Sequence, residues 1–295
     1  MKVLCFGSMN LDYVYPVDHI VRLGETESSV GVNVNCGGKG LNQSVALAKA
    51  GVPVWHAGLV GPDGGSLIDK CREYGVNAEY IHAIEGRTGH TIIQVDKDGN
   101  NSILLFGGAN QCMTEEFIDE VIDGFGKGDF ILLQNEINLL DVIIDKAYGK
   151  GMQVVLNPSP YNEALDKCDL GKVAYFLLNE IEGEQMTGEK EPEKILEEIH
   201  NRYPKGGIVL TLGEEGSMYL CGGRLYRQPA FKVKAVDTTA AGDTFTGYFI
   251  SSVINGMTPE EGLRLASVAA AMAVTRPGAL DSIPTMEEVL EFQGK

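Results

Sequence analysis

From residue 114 to the carboxyl end, short apolar runs alternate with stretches whose apolar residues recur at helical spacing. Residues 130–134, 153–156, 175–178 and 208–212 form such runs, and residues 3–7 and 54–58 form two more nearer the amino end. A strand that is apolar on both faces needs cover on both faces, and alternation with helices places such strands side by side in parallel. The pattern predicts an α/β protein, a three-layer α/β/α unit around a mostly parallel sheet. A chain of 295 residues with 44% hydrophobic content can bury the core this requires.

Two regions break the alternation. Val30, Val32 and Val34 alternate with Gly31, Asn33 and Asn35, the period of a half-buried strand. Residues 91–95 and 103–106 flank the turn D-K-D-G-N, in which Gly99 accepts positive φ, a hairpin signal. These segments predict a small separate sheet, inserted in two pieces at roughly 12–36 and 88–108 within a single unit spanning 1–295.

Polar residues end the strand candidates. Glu136, Asn157, Asn179 and Gly213 follow four of them, and Asp237 follows residues 233–236, read as the last strand. Open α/β sheets bind ligands outside the carboxyl ends of their strands, so these residues predict one site. Taken singly, each is more often a helix cap or loop former.

The stretch 236–247 reads V-D-T-T-A-A-G-D-T-F-T-G. Ala240, Ala241 and Gly242 precede Phe245, Phe249, Ile250, Val253 and Ile254, which recur at helical spacing. Small residues opening a helix leave free N–H groups at its positive end, which makes an anion site. Asp243 beside that site is either a first-turn carboxylate favoured by the dipole, or a base for a hydroxyl attacking a bound phosphoryl group. Gly37-Gly38-Lys39-Gly40 precedes a helical stretch, 41–50, closed by Gly51. It is not a P-loop, because G-x-x-x-x-G-K-[ST] is absent. Its glycines allow close backbone approach to a ligand, although a flexible loop has the same composition. Asn10 and Asp12 follow the first strand, where turn chemistry is their local role.

Other functions lack their marks. A net charge of −17 with no basic cluster argues against a nucleic-acid surface. No apolar run approaches the ~18 residues of a membrane span. The six cysteines, Cys5, Cys36, Cys71, Cys112, Cys168 and Cys221, are scattered without C-x-x-C, as free thiols in a reducing compartment would be. With no signal peptide at the amino terminus, the expected location is the cytoplasm. A nicotinamide-dependent oxidoreductase would need G-x-G-x-x-G after a strand, which the chain lacks.

The motifs D-T-x-A-A-G-D-T-F-x-G at 237–247 and G-G-K-G-x-N-Q at 37–43 resemble the carboxyl-terminal and amino-terminal signatures of the ribokinase-like (PfkB-type) carbohydrate kinases. The resemblance covers nearly the whole chain and is closest to members that phosphorylate D-ribose. It implies ATP-dependent transfer to a sugar hydroxyl, forming ribose 5-phosphate, with Asp243 as base and an anion hole at Ala240, Ala241 and Gly242. It assigns sugar contacts to Asn10, Asp12, Gly38, Lys39, Asn42, Glu136 and Asp243. It assigns nucleotide contacts to Asn179, Thr211, Gly213 and Gly242, and Mg²⁺ through water to Glu182, whose local role is a first-turn carboxylate. A K⁺ site would draw on Asp237, the carbonyls of Thr239, Ala273, Arg276 and Gly278, and the Ser282 hydroxyl. Pro277, where many members carry Lys, and Ser267, where a His can stand near the adenine, depart from the family pattern. The small sheet would be a lid over the sugar, with an apolar face that predicts a homodimer. Nucleoside and ketose kinases of the same family stay open as alternatives, because Asn10, Asp12, Asn42 and Glu136 suit several hydroxyl patterns. A non-catalytic sugar sensor is disfavoured by the presence of Asp243.

Overall fold

A computed structural model describes residues 1–293. The chain opens with β1 (Val3–Phe6), β2 (Asn10–Pro16), β3 (Asn33–Gly37) and α1 (Lys39–Lys49). Next come β4 (Val54–Val60), α2 (Gly65–Glu73), β5 (Asn77–Ala83) and the hairpin β6 (Gly89–Val95) and β7 (Asn101–Phe106). The middle holds α3 (Glu115–Asp123), β8 (Phe130–Gln134), α4 (Leu140–Gly149), β9 (Gln153–Asn157), β10 (Val173–Asn179), α5 (Glu180–Thr187) and α6 (Pro192–Arg202). It closes with β11 (Gly207–Thr211), β12 (Ser217–Cys221), β13 (Arg224–Gln228), α7 (Ala241–Ile254), α8 (Pro259–Ala273) and α9 (Met286–Gln293).

Successive strand residues point to opposite faces and so feed two cores. Val3, Cys5, Leu132, Val155 and Val209 pack with α1, α2, α7, α8 and α9. Leu4, Phe6, Ile131, Leu133, Val154 and Leu156 pack with α3, α4, α5 and α6. The nine-stranded sheet between them runs β13-β12-β11-β10-β9-β8-β1-β4-β5. Every pair from β11 to β5 is parallel, and β12 and β13 extend one edge antiparallel. This is the expected α/β/α architecture.

A second, separate sheet has four strands in the order β3-β2-β6-β7. Asp12 is paired with Asn35 and Thr91, and Thr91 with Leu105, so these share one face. Tyr13, Val34, Ile92 and Leu104 form the adjacent row on the other face. Val34, Ile92 and Leu104 are exposed. The half-buried strand expected from Val30 starts only at Asn33, and its valines have no cover within one chain.

Two local readings are corrected. Residues 233–236 form no strand, because the Val236 and Asp237 N–H groups both donate to the Val274 carbonyl, at 2.7 and 3.2 Å. The sheet edge there is instead taken by the β12–β13 hairpin, whose turn uses Gly222 and Gly223 at φ 53° and 75°. Asn10 and Asp12 do not serve a turn, since they lie in β2 between β3 and β6, where the ladder satisfies their backbone.

Candidate active site

The carboxyl edge of the sheet brings α1 and α7 together over β8, β9 and β10. The turn from β3 into α1 needs Gly38 at φ 97°. At Gly40 a Cβ would stand 2.5 Å from the Ser8 nitrogen and 2.6 Å from the Gly7 carbonyl carbon, so only glycine lets α1 approach the β1–β2 connection this closely. Gly247 has the same function between the helices, where a Cβ would meet that of Ala46 at 2.4 Å.

Through these contacts Asp243, 8% exposed, receives both amides of the N-Q pair. Asn42 Nδ2 donates to its Oδ2 at 2.9 Å and Gln43 Nε2 to its Oδ1 at 2.8 Å. Ala240 enters α7 in the left-handed region at φ 58°, a conformation costing about 1–2 kcal/mol for a residue with a Cβ. The Ala241 N–H turns back to the Thr238 carbonyl at 3.3 Å, while those of Gly242 and Asp243 have no helical acceptor. Asp243 is therefore both a first-turn residue and a carboxylate beside free helix-terminal N–H groups.

A cleft of about 240 Å³ opens between this helix terminus and the ends of β9, β10 and β11. Lys39, Asn179, Glu182, Thr211, Ala240, Ala241, Gly242 and Asp243 all line it. Burial opposes the charge of Lys39, but the carboxylates of Asp243, Glu136 and Glu182 outweigh it and hold its pKa above the usual lysine value. Asn179 caps α5, accepting the Glu182 N–H at 2.9 Å, while Glu182 Oε2 accepts the Asn179 N–H at 3.1 Å. The capping role and the cleft position thus coincide. The other Glu182 oxygen makes no hydrogen bond among the described residues. Gly213 lies outside the lining, two residues beyond Thr211.

On the side of the small sheet, Asp12 accepts the Thr91 hydroxyl at 2.5 Å, and burial raises its carboxyl above the usual range. Asn10 Oδ1 accepts from Asn110 Nδ2 at 2.8 Å, and Asn110 is itself pinned by the Met9 N–H at 3.0 Å. Glu136 accepts the Ser8 hydroxyl and, at 3.3 Å, the Lys39 N–H. Burial raises its pKa despite the neighbouring Lys39 charge. Ser8, Gln43, Thr91 and Asn110 were not singled out from the sequence. Gln43 stood within the quoted motif, whereas Ser8, Thr91 and Asn110 carried no local signal.

The loop residues also adjoin. Asp237 accepts the Thr239 N–H through Oδ1 and the Gly278 N–H through Oδ2, each at 2.9 Å. Burial opposes its charge, yet these donors hold its pKa below the usual value. The Ala273 carbonyl takes the Arg276 N–H at 3.0 Å, the Arg276 guanidinium pairs with Glu288 at 2.8 Å, and the Ser282 hydroxyl turns to the Ala279 carbonyl. Ser267 lies 3.4 Å from the Ser217 hydroxyl on β12. No cluster of His, Cys, Asp and Glu that could hold a metal occurs among the described residues. Nor is any described helix long and apolar enough to cross a membrane.

A buried carboxylate and the amino terminus of a helix lining one cleft at the carboxyl edge of an α/β sheet are the parts a phosphotransferase acting on a hydroxyl group needs. The chain belongs to the pfkB family of carbohydrate kinases, which its residues 1–286 match. It is 34% identical to the ribokinase of Haemophilus influenzae, over 97% of this chain and 96% of that one. It is 32% identical to the deoxyribokinase of Salmonella typhi, over 99% and 98%. Among solved structures, Arabidopsis thaliana ribokinase complexed with ribose and ATP superposes with a TM-score of 0.85 at 30% identity, covering 98% and 97%.

Proposed function

We propose that the protein transfers the γ-phosphoryl group of ATP to D-ribose, giving ribose 5-phosphate and ADP. One observation carries the reading: Asp243 stands in the same cleft as the amino terminus of α7, so a base and an anion site meet at one point. The hydroxyl oxygen attacks phosphorus, the bond to the β-phosphate oxygen breaks, and the hydroxyl proton passes to Asp243. The N–H groups at Gly242 and Asp243, with Lys39, stabilise charge developing on the phosphoryl oxygens. Asn179, Thr211 and the region of Gly213 border the nucleotide. Mg²⁺ suits this donor set, since a lone carboxylate, Glu182, with nucleotide phosphates and water is its usual environment. When bound, it would neutralise phosphate charge during transfer.

Asn10, Asp12, Gly38, Asn42 and Glu136 would hold the sugar. Glu136→Gln is expected to raise the KM for sugar about tenfold or more while leaving kcat nearly unchanged, the scale of one hydrogen bond to a charged group. Steady-state kinetics check it, and an unchanged KM removes Glu136 from the sugar site. Similarity over the full length to ribokinases favours ribose over a nucleoside or ketose. The reading is tested by incubating the protein with MgATP and D-ribose and identifying the product by phosphorus NMR. Phosphate on the C5 oxygen supports it, and phosphate at another carbon refutes it.

The juxtaposition of Asp237 and Thr239 with the 273–282 loop supports a monovalent-cation site there, with K⁺ ordering the loop beside the anion site. The exposed row of Val34, Ile92 and Leu104 supports a homodimer formed through the lid sheet. Leu104→Lys is expected to weaken that dimer about tenfold or more, the scale of losing a buried apolar contact. Sedimentation checks it, and a wild-type chain that is monomeric rejects the dimer. The free state of all six cysteines fits a reducing, cytoplasmic setting.

A further inference from the structure

The carboxylate of Asp243 is held by a chain of amides whose direction is fixed at its far end. The Leu177 carbonyl can only accept, so Asn157 turns its NH₂ to it, at 2.8 Å. Asn157 Oδ1 then faces Gln43 and accepts from its Nε2 at 3.1 Å. The same Nε2 donates to Asp243 Oδ1, and Gln43 Oε1 accepts from Gln134 Nε2 at 2.6 Å. Gln134 and Asn157 are register partners at the carboxyl ends of β8 and β9, so Gln43 reaches down from α1 between two adjacent strands. Turned the other way, Gln43 would set its oxygen against the carboxylate and against Asn157 Oδ1. Gln43 and Gln134 have no exposed surface, so no water relieves such a clash.

We propose that Gln43 is a positioning residue for Asp243, held in one orientation by Asn157, and that it acts on the chemical step rather than on sugar binding. The proposal rests on the reading of Asp243 as the base. Asn42, the other donor to Asp243, has a buried Oδ1 without a partner, whereas every polar atom of Gln43 is engaged. Gln43 is therefore the fully held donor of the two, and it fixes the plane of the carboxylate. The other titratable groups acting on or with Asp243 are Lys39 at the start of α1, Glu136 after β8, Glu182 on α5 and the Cys5 thiol on β1. Substitutions at Gln43 leave all of them in place.

The test compares Asp243→Asn, Gln43→Met and Gln43→Glu in the full chain, with ADP release from MgATP and D-ribose measured across pH. Removing a donor from a carboxylate favours its protonated form, so the acidic limb of kcat/KM should move to higher pH. For Gln43→Met the expected result is a kcat lower by about tenfold, a sugar KM within about threefold, and a limb about one pH unit higher. Gln43→Glu keeps the volume and the acceptor for Gln134 but sets a second carboxyl against Asp243. Two carboxyls at one place must share a proton, so its limb moves further than that of the Met variant. A side chain that merely fills space would leave the isosteric Glu variant at wild-type rate and profile, which overturns the proposal. A lower kcat with an unmoved limb in both folded variants also overturns it. Near-normal turnover in Asp243→Asn would instead remove the base reading itself, whatever the Gln43 variants do.

Discussion

Asp243→Asn is expected to lose about 10²–10⁴ or more in kcat, the usual contribution of a positioned general base. The substitution conserves shape, and its new NH₂ can be met by a turn of Asn42, whose Oδ1 is unpartnered. Folding and sugar binding should therefore persist while the proton of the attacking hydroxyl has no acceptor. Sugar binding by calorimetry and single-turnover ADP formation separate these effects. A variant that binds sugar and turns over near the normal rate would take Asp243 out of the mechanism.

Gly40→Ala has the second largest expected effect, and it reaches the chemistry through packing. The added carbon would lie within 2.8 Å of the Ser8 nitrogen, the Gly7 carbonyl carbon and the Gly7 Cα, all backbone atoms. None of these can rotate away, so α1 must shift outward. Overpacking of this kind costs about 1–3 kcal/mol of stability. Because α1 carries Lys39, Asn42 and Gln43, a displacement on the order of 1 Å should also lower turnover about 10²-fold. Gly65→Ala is the control: nothing stands within 4 Å of a Cβ there, and its stability should change by no more than about 0.5 kcal/mol. Thermal unfolding and kcat of the two variants check the account. Equal behaviour would show that the close approach at Gly40 is not needed.

The parallel sheet was legible because buried strands have no polar face to confuse the reading; Ile131, Leu132 and Leu133 feed both cores. Asp243 was marked by the small residues that open the helix around it, with two roles left open, whereas Asn42 was singled out only by the resemblance of its motif to a family signature. The β12–β13 hairpin was missed because its strands lie at the sheet edge, where Arg224, Tyr226 and Arg227 dilute the apolar signal. Residues 233–236 misled for the converse reason, since an apolar run reads as a strand whether or not a neighbour has room to pair with it. The Gln43–Asn157–Gln134 chain could not be read at all, because its members lie far apart in sequence and meet only when β8 and β9 end in register.

The account's central claim is ribose phosphorylation by ATP, and the most direct measurement is kcat/KM with MgATP for D-ribose, 2-deoxy-D-ribose, D-fructose and adenosine, each with and without K⁺. The account predicts that D-ribose is the best substrate and that K⁺ raises its turnover. A preference for adenosine or fructose, or no ADP release with any of the four, would contradict it.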